Sequence, residues 1–489
     1  MSPSSSRLSG ALLTLLEESE SAPIALSTRV YRAIRGAILD RTLRAGDRLP
    51  STRVLAADLA ISRATAETAY AQLEAEGYVA RRVGDGSYVN AVVPRRNAGK
   101  PTANAVPANS LSERGRRIAS LGSCIDPRQV RAFSAGLPAL DAFPLDVWQR
   151  LLARHARSPE ASWPMYTDPQ GEPVLREAIA QYLALSRGVD CDADQVIVLT
   201  SSQQALVLIA MLTLDGGDAA WIEEPGYRGA QTAFAAQGAR LVPVPVDANG
   251  MLVEHGLRAA PQAKLAYVTP SHQYPLGMAM SLERRMQLLD WARRTDAWIV
   301  EDDYDSEFHY DSRPIAAIHG LDRHGRVLYV GTFSKVMYPG LRLAYLVVPK
   351  PLAPAFVAAR SHLDGHSPAL MQLVLADFMQ NGHFMAHVRR MRELYRARRD
   401  IFLEEVERRL PGRLQPLPAA GGLQAACLLG DARASDGKLA ARAGEAGIDL
   451  PILSRLYFGD RKRNGFVMGY SALPPAAIRA GVKKLAALL

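Results

Sequence analysis

Three short apolar runs in the second half of the chain end or begin at polar side chains that could do chemistry. The runs span residues 298–300, 327–330 and 343–348, and uninterrupted apolar runs of this length are typical of buried strands. The polar side chains at their ends are Asp302, Tyr304, Thr332, Ser334, Lys335 and Arg342. Because ligands in open α/β sheets sit at the carboxyl ends of strands, we expect these groups to line one ligand site.

These groups suit an aromatic aldehyde phosphate, and pyridoxal 5'-phosphate (PLP) is a ligand of this kind. The Lys335 amine can form a Schiff base with the aldehyde, and a carboxylate such as Asp302 can keep the pyridine nitrogen protonated. The hydroxyls of Thr332 and Ser334 and the Arg342 guanidinium can bind the phosphate. Single lysines or acids are usually solvated surface groups, so the prediction depends on their spacing.

Two adjacent acids compete for the contact with the cofactor ring. Residues two apart in a strand share a face, so Asp302 and Tyr304 are expected to point the same way. We therefore expect Asp302 to pair with the pyridine nitrogen and Tyr304 to bond the phenolic oxygen. A shift by one residue would transfer the first role to Asp303.

Two strings in this region closely resemble a known family. EDDYDSEF at 301–308 and GTFSKVMYPGLRLAY at 331–345 resemble fold-type I PLP enzymes, specifically the aminotransferase-like domain of MocR-type regulators. The resemblance implies an α/β fold, with a mostly parallel sheet and helices on both faces. It also implies PLP on Lys335 and a homodimer, expected to be head-to-tail.

The resemblance assigns further cofactor contacts. Ser202 and Gln203, at the start of a predicted helix, would form an anion site with the free helix amides. Tyr227 would stack on the pyridine face, and Tyr166 would reach the phosphate in the neighbouring subunit. Tyr274 stands where aminotransferases have an asparagine that bonds the phenolic oxygen.

Histidines are not expected to bind a metal here. His272 and its neighbour Gln273 are interpreted as loop structure. A helix is predicted over 378–399, and its histidines lack the acidic pattern of a zinc motif. Solvated or interface positions are therefore predicted for His362, His366, His383 and His387.

The C-terminal region departs from the aminotransferase pattern. Enzymes of this fold hold the substrate carboxylate with an arginine in a string resembling RxSFS, but here FVMGYSALP places Val467 at that position. A paired arginine contributes about 1.5–3 kcal/mol through charged hydrogen bonds. Arg455, Arg461 and Arg463 lie nearby, in a polar segment typical of a surface turn. We therefore expect a poor transaminase and an effector without an α-carboxylate, or PLP itself as the sensed molecule.

The N-terminal region has the pattern of a winged helix. Residues 26–39 place apolar side chains on one helical face, and residues 52–59 form a second helix. A third helix is capped by Ser62, and a hairpin is predicted around 84–86. The string LPSTRVLAADLAISRATAETAYAQLEAEGYVARRVGDGSYV resembles the GntR-type winged helix nearly throughout.

The winged helix implies double-stranded DNA as a partner. By resemblance, Arg53 would hold a phosphate, while Ser62, Arg63 and Thr65 would present the recognition helix to the major groove. Gly86 would let the wing approach the minor groove. Between residues 26 and 96 there are 12 arginines against 7 acidic residues, out of a net charge of +9 for the chain.

Composition and length limit the remaining possibilities. A chain of 489 residues with 48% hydrophobic residues predicts two or more domains. No apolar run approaches the length of a membrane span, and no signal peptide is recognised, so a cytoplasmic protein is expected. The widely spaced Cys124, Cys191 and Cys427 suggest neither a disulfide framework nor a zinc cluster.

The predicted organisation is a GntR-type winged helix at 24–92, a flexible linker at 93–128 and an aminotransferase-like PLP domain at 129–489. We interpret the chain as a PLP-dependent, MocR-type transcriptional regulator. An effector amine, or PLP itself, would modulate operator binding. The alternative is a working aminotransferase with an accessory DNA-binding domain.

Overall fold

The computed structural model describes residues 24–82, 84–91, 110–121, 129–158, 163–310, 316–418, 421–459 and 462–489. The chain divides into two compact units, Met1–Ser110 and Leu111–Leu489. The first unit contains the predicted winged helix, and the second contains the predicted cofactor-binding domain. Most of the predicted linker falls outside the described residues.

The first unit is a three-helix winged helix, as predicted. Its core is formed by one apolar face of each helix, including Ile34, Leu55, Ala69 and Leu73. Its sheet has the order β1–β3–β2 with antiparallel pairing, so that the β2–β3 hairpin forms the wing. The elements are α1 (Leu26–Leu39), β1 (Arg48–Leu49), α2 (Thr52–Asp58), α3 (Arg63–Ala75), β2 (Val79–Arg82) and β3 (Gly86–Val89).

A short helix, α4 (Glu113–Ser120), lies within the stretch predicted to be linker. Ser112 caps it by accepting a hydrogen bond from the Gly115 amide, at 3.0 Å. The Arg114 side chain donates a hydrogen bond to that of Gln237, and both residues belong to the second unit. The helix buries no residue of its own, which explains why apolar periodicity did not predict it.

The second unit is built on an eight-stranded sheet with the order β4–β11–β10–β9–β8–β5–β6–β7. Strands β10, β9, β8, β5 and β6 are parallel, β11 is antiparallel to both its neighbours, and β7 is antiparallel to β6. The strands are β4 (Val196–Leu199), β5 (Ala219–Glu224), β6 (Arg240–Asp247), β7 (Gly250–Met251), β8 (Leu265–Val268), β9 (Trp298–Asp303), β10 (Val327–Thr332) and β11 (Ala344–Val347).

Helices cover both faces of this sheet because its strands are apolar on both sides. In β4, Ile197 and Leu199 pack in one apolar cluster, while Val196 and Val198 pack in another. This separation follows the two-residue period of a strand. The helices of this part are α5 (Leu145–Ala156), α6 (Pro173–Arg187), α7 (Ser202–Thr213), α8 (Arg228–Ala236), α9 (Val253–Ala259), α10 (Leu282–Thr295), α11 (Ile318–Leu321), α12 (Ala353–Asp364), α13 (Ala369–Gln380) and α14 (His383–Arg409).

A smaller antiparallel sheet, β12–β13–β14, forms the C-terminal part of the second unit. It packs with the end of α14 and two further helices around a core that includes Phe402, Cys427, Phe466 and Ile478. Its elements are β12 (Leu414–Pro416), β13 (Gln424–Leu429), α15 (Asp436–Glu445), β14 (Gly465–Gly469) and α16 (Pro475–Ala486).

The prediction of a single helix over 378–399 is wrong, because two helices meet there. The chain breaks between α13 and α14 at Gly382, whose φ of +77° is a left-handed conformation that favours glycine. The solvated or interface position predicted for His387 is also wrong. His387 is buried, and its Nε2 lies 2.9 Å from the Val336 carbonyl oxygen.

A metal site and a membrane-spanning helix can be looked for only in the part of the chain that the structure describes. Within it, no group of three or more acidic, histidine or cysteine side chains is placed to hold a metal ion. Of the helices it contains, none combines the length and apolar character needed to cross a bilayer.

Candidate functional site

A cavity of about 390 Å³ lies at the carboxyl ends of the main sheet strands in the second unit. Most of its lining comes from the ends of β8, β9 and β10, the segments that follow these strands, and the N-terminus of α7, and β13 contributes from the smaller sheet. Ten of the eleven residues predicted to bind the cofactor meet here. They are Ser202, Gln203, Tyr227, Tyr274, Asp302, Tyr304, Thr332, Ser334, Lys335 and Arg342.

Lys335 lies in the turn that follows β10, and its amine lines the cavity. Its Nζ donates a hydrogen bond to the carbonyl oxygen of Gly136, at 3.0 Å. Gly136 has a φ of +68°, and a Cβ atom there would lie 3.0 Å from Nζ. Glycine at this position therefore suits both the left-handed backbone and the close approach of the lysine.

Asp302 presents a buried carboxylate to the same cavity. Its Oδ2 accepts a hydrogen bond from the Tyr267 hydroxyl, at 2.7 Å, while its buried Oδ1 has no partner among the described residues. Burial raises the pKa of Asp302 to about 7, and Lys335 opposes this shift. The free oxygen makes Asp302 suited to a cationic or N–H-donating ligand.

Asp303 points away from the cavity. Its Oδ2 lies 2.7 Å from Arg187 Nε and accepts a hydrogen bond from the Tyr329 hydroxyl, at 2.5 Å. Both Asp303 and Arg187 are buried. The two adjacent acids therefore have separate environments, as expected for successive residues of a strand.

Tyr304 is held by a buried histidine and acid. Its hydroxyl lies 3.0 Å from His272 Nδ1, which also lies 3.0 Å from Asp305 Oδ2. A Cβ atom on Gly422, whose φ is +85°, would lie 2.0 Å from His272 Cε1. This packing fixes the imidazole, and with it the direction of the Tyr304 hydroxyl.

The N-terminus of α7 and the turn after β10 supply groups that could hold a phosphate. Ser201 caps α7 by accepting a hydrogen bond from the Gln204 amide, at 3.2 Å, so Ser202 and Gln203 begin the helix at the cavity. Thr332 Oγ1 accepts from the Ser334 amide, at 3.2 Å. The exposed Arg342 completes this side of the lining.

Aromatic residues form another wall. The rings of Tyr227 and Tyr274 meet edge to face with centroids 5.8 Å apart, and Tyr274 meets Tyr304 similarly, at 6.1 Å. Tyr166 does not line the cavity of its own chain. It is 93% exposed, and its ring contacts that of His366. Its predicted phosphate contact in the neighbouring subunit stays a prediction.

The cavity offers little to a substrate carboxylate. Val467 is fully buried in an apolar cluster with Leu276 and Ala426. Arg455 and Arg463 are exposed and do not line the cavity, and Arg461 lies outside the described residues. Among the lining residues that the structure describes, Arg342 is the single arginine.

Several residues of the site were not predicted from the sequence. Tyr267 is part of an apolar strand, which hid its polar role. His272 was interpreted as loop structure, although it contacts Tyr304 and Asp305. Gln424 carried a usable signal, because it is a polar residue within the otherwise apolar run GGLQAACLL.

The predicted DNA-contacting residues all lie in the first unit. Ser62 Oγ accepts a hydrogen bond from the Thr65 amide, at 3.0 Å, and thereby caps α3, while Arg63 begins that helix and is exposed. Arg53 is exposed on α2. Gly86 begins β3 with a φ of +117°.

Comparisons with known families match both units. Residues 26–89 match the family of bacterial regulatory proteins of the gntR type. Residues 132–441, more than half of the chain, match the family of class I and II aminotransferases.

Individual relatives and structures agree with this division. The chain is 41% identical to a probable rhizopine catabolism regulatory protein, MocR, from Rhizobium meliloti, over 95% of this chain and 94% of that protein. It is 30% identical to PdxR, a pyridoxine biosynthesis transcriptional regulator of Corynebacterium glutamicum, over 92% and 93% of the two chains.

A solved structure is similar to the second unit. It is LysN, the α-aminoadipate aminotransferase of Thermus thermophilus, complexed with N-(5'-phosphopyridoxyl)-L-leucine. The TM-score is 0.72 at 27% identity, and the match covers 78% of this chain and 97% of LysN. The chain therefore belongs to the MocR-type transcriptional regulators of the GntR family, in which a winged helix is joined to an aminotransferase-like domain.

Proposed function

We propose that this regulator binds PLP in the cavity of its second unit and that an amine effector, or PLP itself, changes its affinity for an operator. The main observation that supports this proposal is that Lys335, Asp302 and Tyr304 line one cavity together with the start of α7. Aminotransferases of the matching family use PLP, and LysN was solved with a phosphopyridoxyl ligand. The donor set in the cavity fits this cofactor.

Each group has a proposed role. When bound, PLP supplies an electrophilic aldehyde carbon and an electron-withdrawing ring. Lys335 would provide the amine that anchors it, and the unpartnered Oδ1 of Asp302 would accept a hydrogen bond from the protonated pyridine nitrogen. Tyr304, oriented by His272, would donate a hydrogen bond from its hydroxyl to the phenolic oxygen.

The remaining groups position the cofactor. Ser202, Gln203, Thr332, Ser334 and Arg342 bind the phosphate through amides, hydroxyls and a guanidinium. The rings of Tyr227 and Tyr274 form the aromatic wall beside the pyridine.

We further propose a homodimer in which Tyr166 completes the phosphate site of the partner subunit. Tyr166 and Met165 are exposed at 93% and 69%, an unusual state for two adjacent large side chains. Burial of these side chains against a second copy of the chain would remove apolar surface from water.

The effector is proposed to lack an α-carboxylate. Arg342 faces the proposed phosphate group, and no second arginine is found among the described residues that line the cavity. A carboxylate brought into this cavity would lose hydration without gaining a bidentate partner. An amine without a carboxylate avoids that cost.

Substitution of Lys335 tests this proposal. Lys335→Ala is expected to remove the visible absorption band that PLP gives when it is joined to a lysine. The band is recorded for purified full-length protein after dialysis, with Lys438→Ala as the control because Lys438 is an exposed lysine of α15. Unchanged absorption of Lys335→Ala would refute the assignment.

The competing function is a working aminotransferase with an accessory DNA-binding domain. It is supported by the match of the second unit to enzymes of that class. This alternative predicts rapid turnover with an ordinary α-amino acid, whereas the regulator predicts slow or undetectable turnover together with effector-dependent DNA affinity. Steady-state transamination assays and DNA-binding titrations on the same preparation separate the two.

A further inference from the structure

Gln424 is a buried polar residue of the cavity that none of the cofactor contacts uses. It is the first residue of β13, so it enters the cavity from the smaller sheet, whereas Asp302 lies on β9 and Lys335 in the turn after β10 of the main sheet. Only 4% of Gln424 is exposed, and its Oε1 has no hydrogen-bond partner among the described residues. A buried carbonyl oxygen without a donor is unfavourable unless a ligand supplies one.

The position of Gln424 relates it to the lysine that would anchor the cofactor. A Cβ atom built on Gly136 would lie 3.0 Å from Lys335 Nζ and 3.7 Å from Gln424 Oε1. The two side-chain atoms are therefore separated by no more than the sum of these distances. A small molecule whose amine approaches Lys335 would bring atoms two or three bonds further along within reach of Gln424.

The surroundings of Gln424 indicate which chemical group of a bound effector could contact its side chain. The apolar residues Leu423 and Ala135 also line the cavity, and Gln424 itself is buried, so a group that contacts Gln424 is withdrawn from water. A carboxylate has no proton to donate to Oε1 and would need a cation that Gln424 does not provide. A hydroxyl can donate to the amide oxygen and accept from the amide N–H, which matches both halves of the side chain.

We propose that Gln424 is a specificity-determining residue that recognises a hydroxyl group on the effector, and that the effector class is an amino alcohol. This inference rests on the proposed binding of PLP at Lys335. It extends that proposal by replacing the carboxylate contact of an aminotransferase with a neutral hydrogen bond from a different strand. Val467, on the neighbouring strand β14, remains part of the apolar packing.

Three probes of nearly equal length test the inference on full-length, PLP-loaded protein. They are 3-aminopropan-1-ol, propylamine and β-alanine, which share a primary amine and differ at the other end. Isothermal titration calorimetry is expected to give about tenfold tighter binding of 3-aminopropan-1-ol than of propylamine, the effect of one hydrogen bond to a buried group. β-Alanine is expected to bind more weakly than 3-aminopropan-1-ol.

Two variants assign the preference to Gln424. Gln424→Met keeps a side chain of similar size without the amide, and it is expected to bind 3-aminopropan-1-ol and propylamine equally while retaining PLP. Gln415→Met makes the same change at an exposed residue of β12, and it is expected to behave like the wild type.

The outcomes separate this inference from the proposed function. If the wild type does not prefer 3-aminopropan-1-ol to propylamine, or if Gln424→Met keeps the preference, the inference is wrong even when PLP is bound through Lys335. Tighter binding of β-alanine would also overturn it. If Lys335→Ala retains the visible absorption band, the proposed cofactor site itself fails. A wild type that shows no preference for 3-aminopropan-1-ol overturns the inference whether or not Gln424→Met folds.

Discussion

Asp302 and Asp303 show how one position along a strand changes what a carboxylate can do. Asp303 is neutralised by the buried Arg187 and bonded by Tyr329, so it stabilises the fold. Asp302 accepts one hydrogen bond from Tyr267, at 2.7 Å. Each acid has one buried oxygen without a partner among the described residues, but Asp303 is ion-paired with Arg187 whereas no ion pair is found for Asp302 there. This difference predicts opposite effects for the same substitution at the two residues.

Asp302→Asn is expected to stabilise the cofactor-free protein and to weaken PLP retention. The pKa of Asp302 is raised from 3.8 to about 7, so the folded protein holds this proton more tightly than the unfolded chain does. The Asp302 carboxylate therefore lowers the free energy of unfolding by an amount that grows as pH rises from about 4 to about 7 and then levels off. The unfolding temperature of Asp302→Asn should therefore exceed that of the wild type by an amount that grows from about pH 4 to about pH 7 and then levels off.

Asp303→Asn provides the matched comparison. It leaves the buried Arg187 without its ionised partner, which is expected to cost on the order of 3 kcal/mol of stability. Thermal unfolding and PLP retention after dialysis are measured for both variants. If Asp303→Asn loses PLP while it remains folded, and Asp302→Asn retains it, the ring contact belongs to Asp303.

At the scale of elements, two helix N-termini are proposed to bind phosphate groups, that of α7 on the cofactor and that of α3 on DNA. The α7 helix begins at the cavity after the Ser201 cap, and α3 begins at the Ser62 cap with Arg63 exposed beside it. Both use a serine to satisfy one early amide, leaving others and the positive end of the helix dipole for phosphate. Arg81, by contrast, is ion-paired with Glu67 and Glu74 on α3.

The exposed arginines at the starts of α2 and α3 are expected to make a salt-dependent contribution to DNA binding. Arg53→Ala is expected to weaken binding to different DNA sequences by similar factors and to reduce the slope of log affinity against log salt by about 0.9 for each phosphate that is no longer neutralised. Arg63→Ala is expected to weaken the preferred site more than random DNA.

Arg32→Ala is the charge-matched control, since Arg32 is exposed on α1. Fluorescence anisotropy over a salt series measures all three variants. Equal effects of Arg32→Ala and Arg53→Ala would show that only net charge matters and would contradict the proposed phosphate contact.

At the scale of the whole molecule, the chain joins two units that have separate apolar cores. The winged-helix core contains residues such as Ile34 and Leu73, whereas Phe133 and Phe402 pack in a core of the second unit. The boundary between Ser110 and Leu111 leaves α4 with the second unit, where Arg114 contacts Gln237. We therefore expect truncation to separate cofactor binding from DNA binding.

A fragment that begins at Leu111 is expected to retain PLP and to lose specific DNA binding. The cavity described above is lined entirely by residues of that unit, while Arg53 and Arg63 are removed. Absorption spectra and anisotropy with operator DNA test the two properties independently. Specific DNA binding by the fragment would contradict the proposed division of labour between the units.

The sequence by itself determined many of the elements and most of the residues that line the cavity. Apolar runs predicted β9, β10 and β11, and polar residues at their ends predicted that Asp302 and Lys335 would meet. Caps and helical spacing likewise predicted α2 and α3 of the winged helix. These signals are local, because strand and helix periods depend on side chains only a few residues apart.

Only the tertiary structure decided which distant side chains complete the site. Tyr267 bonds Asp302 across 35 positions of sequence, and Gly136 meets Lys335 across 199. Gln424 reaches the cavity from another sheet altogether. No local period encodes such meetings, since they follow from strand order and from the packing of one sheet beside another. The same reason separates Asp302 from Asp303, whose roles depend on which neighbours cover each face of β9.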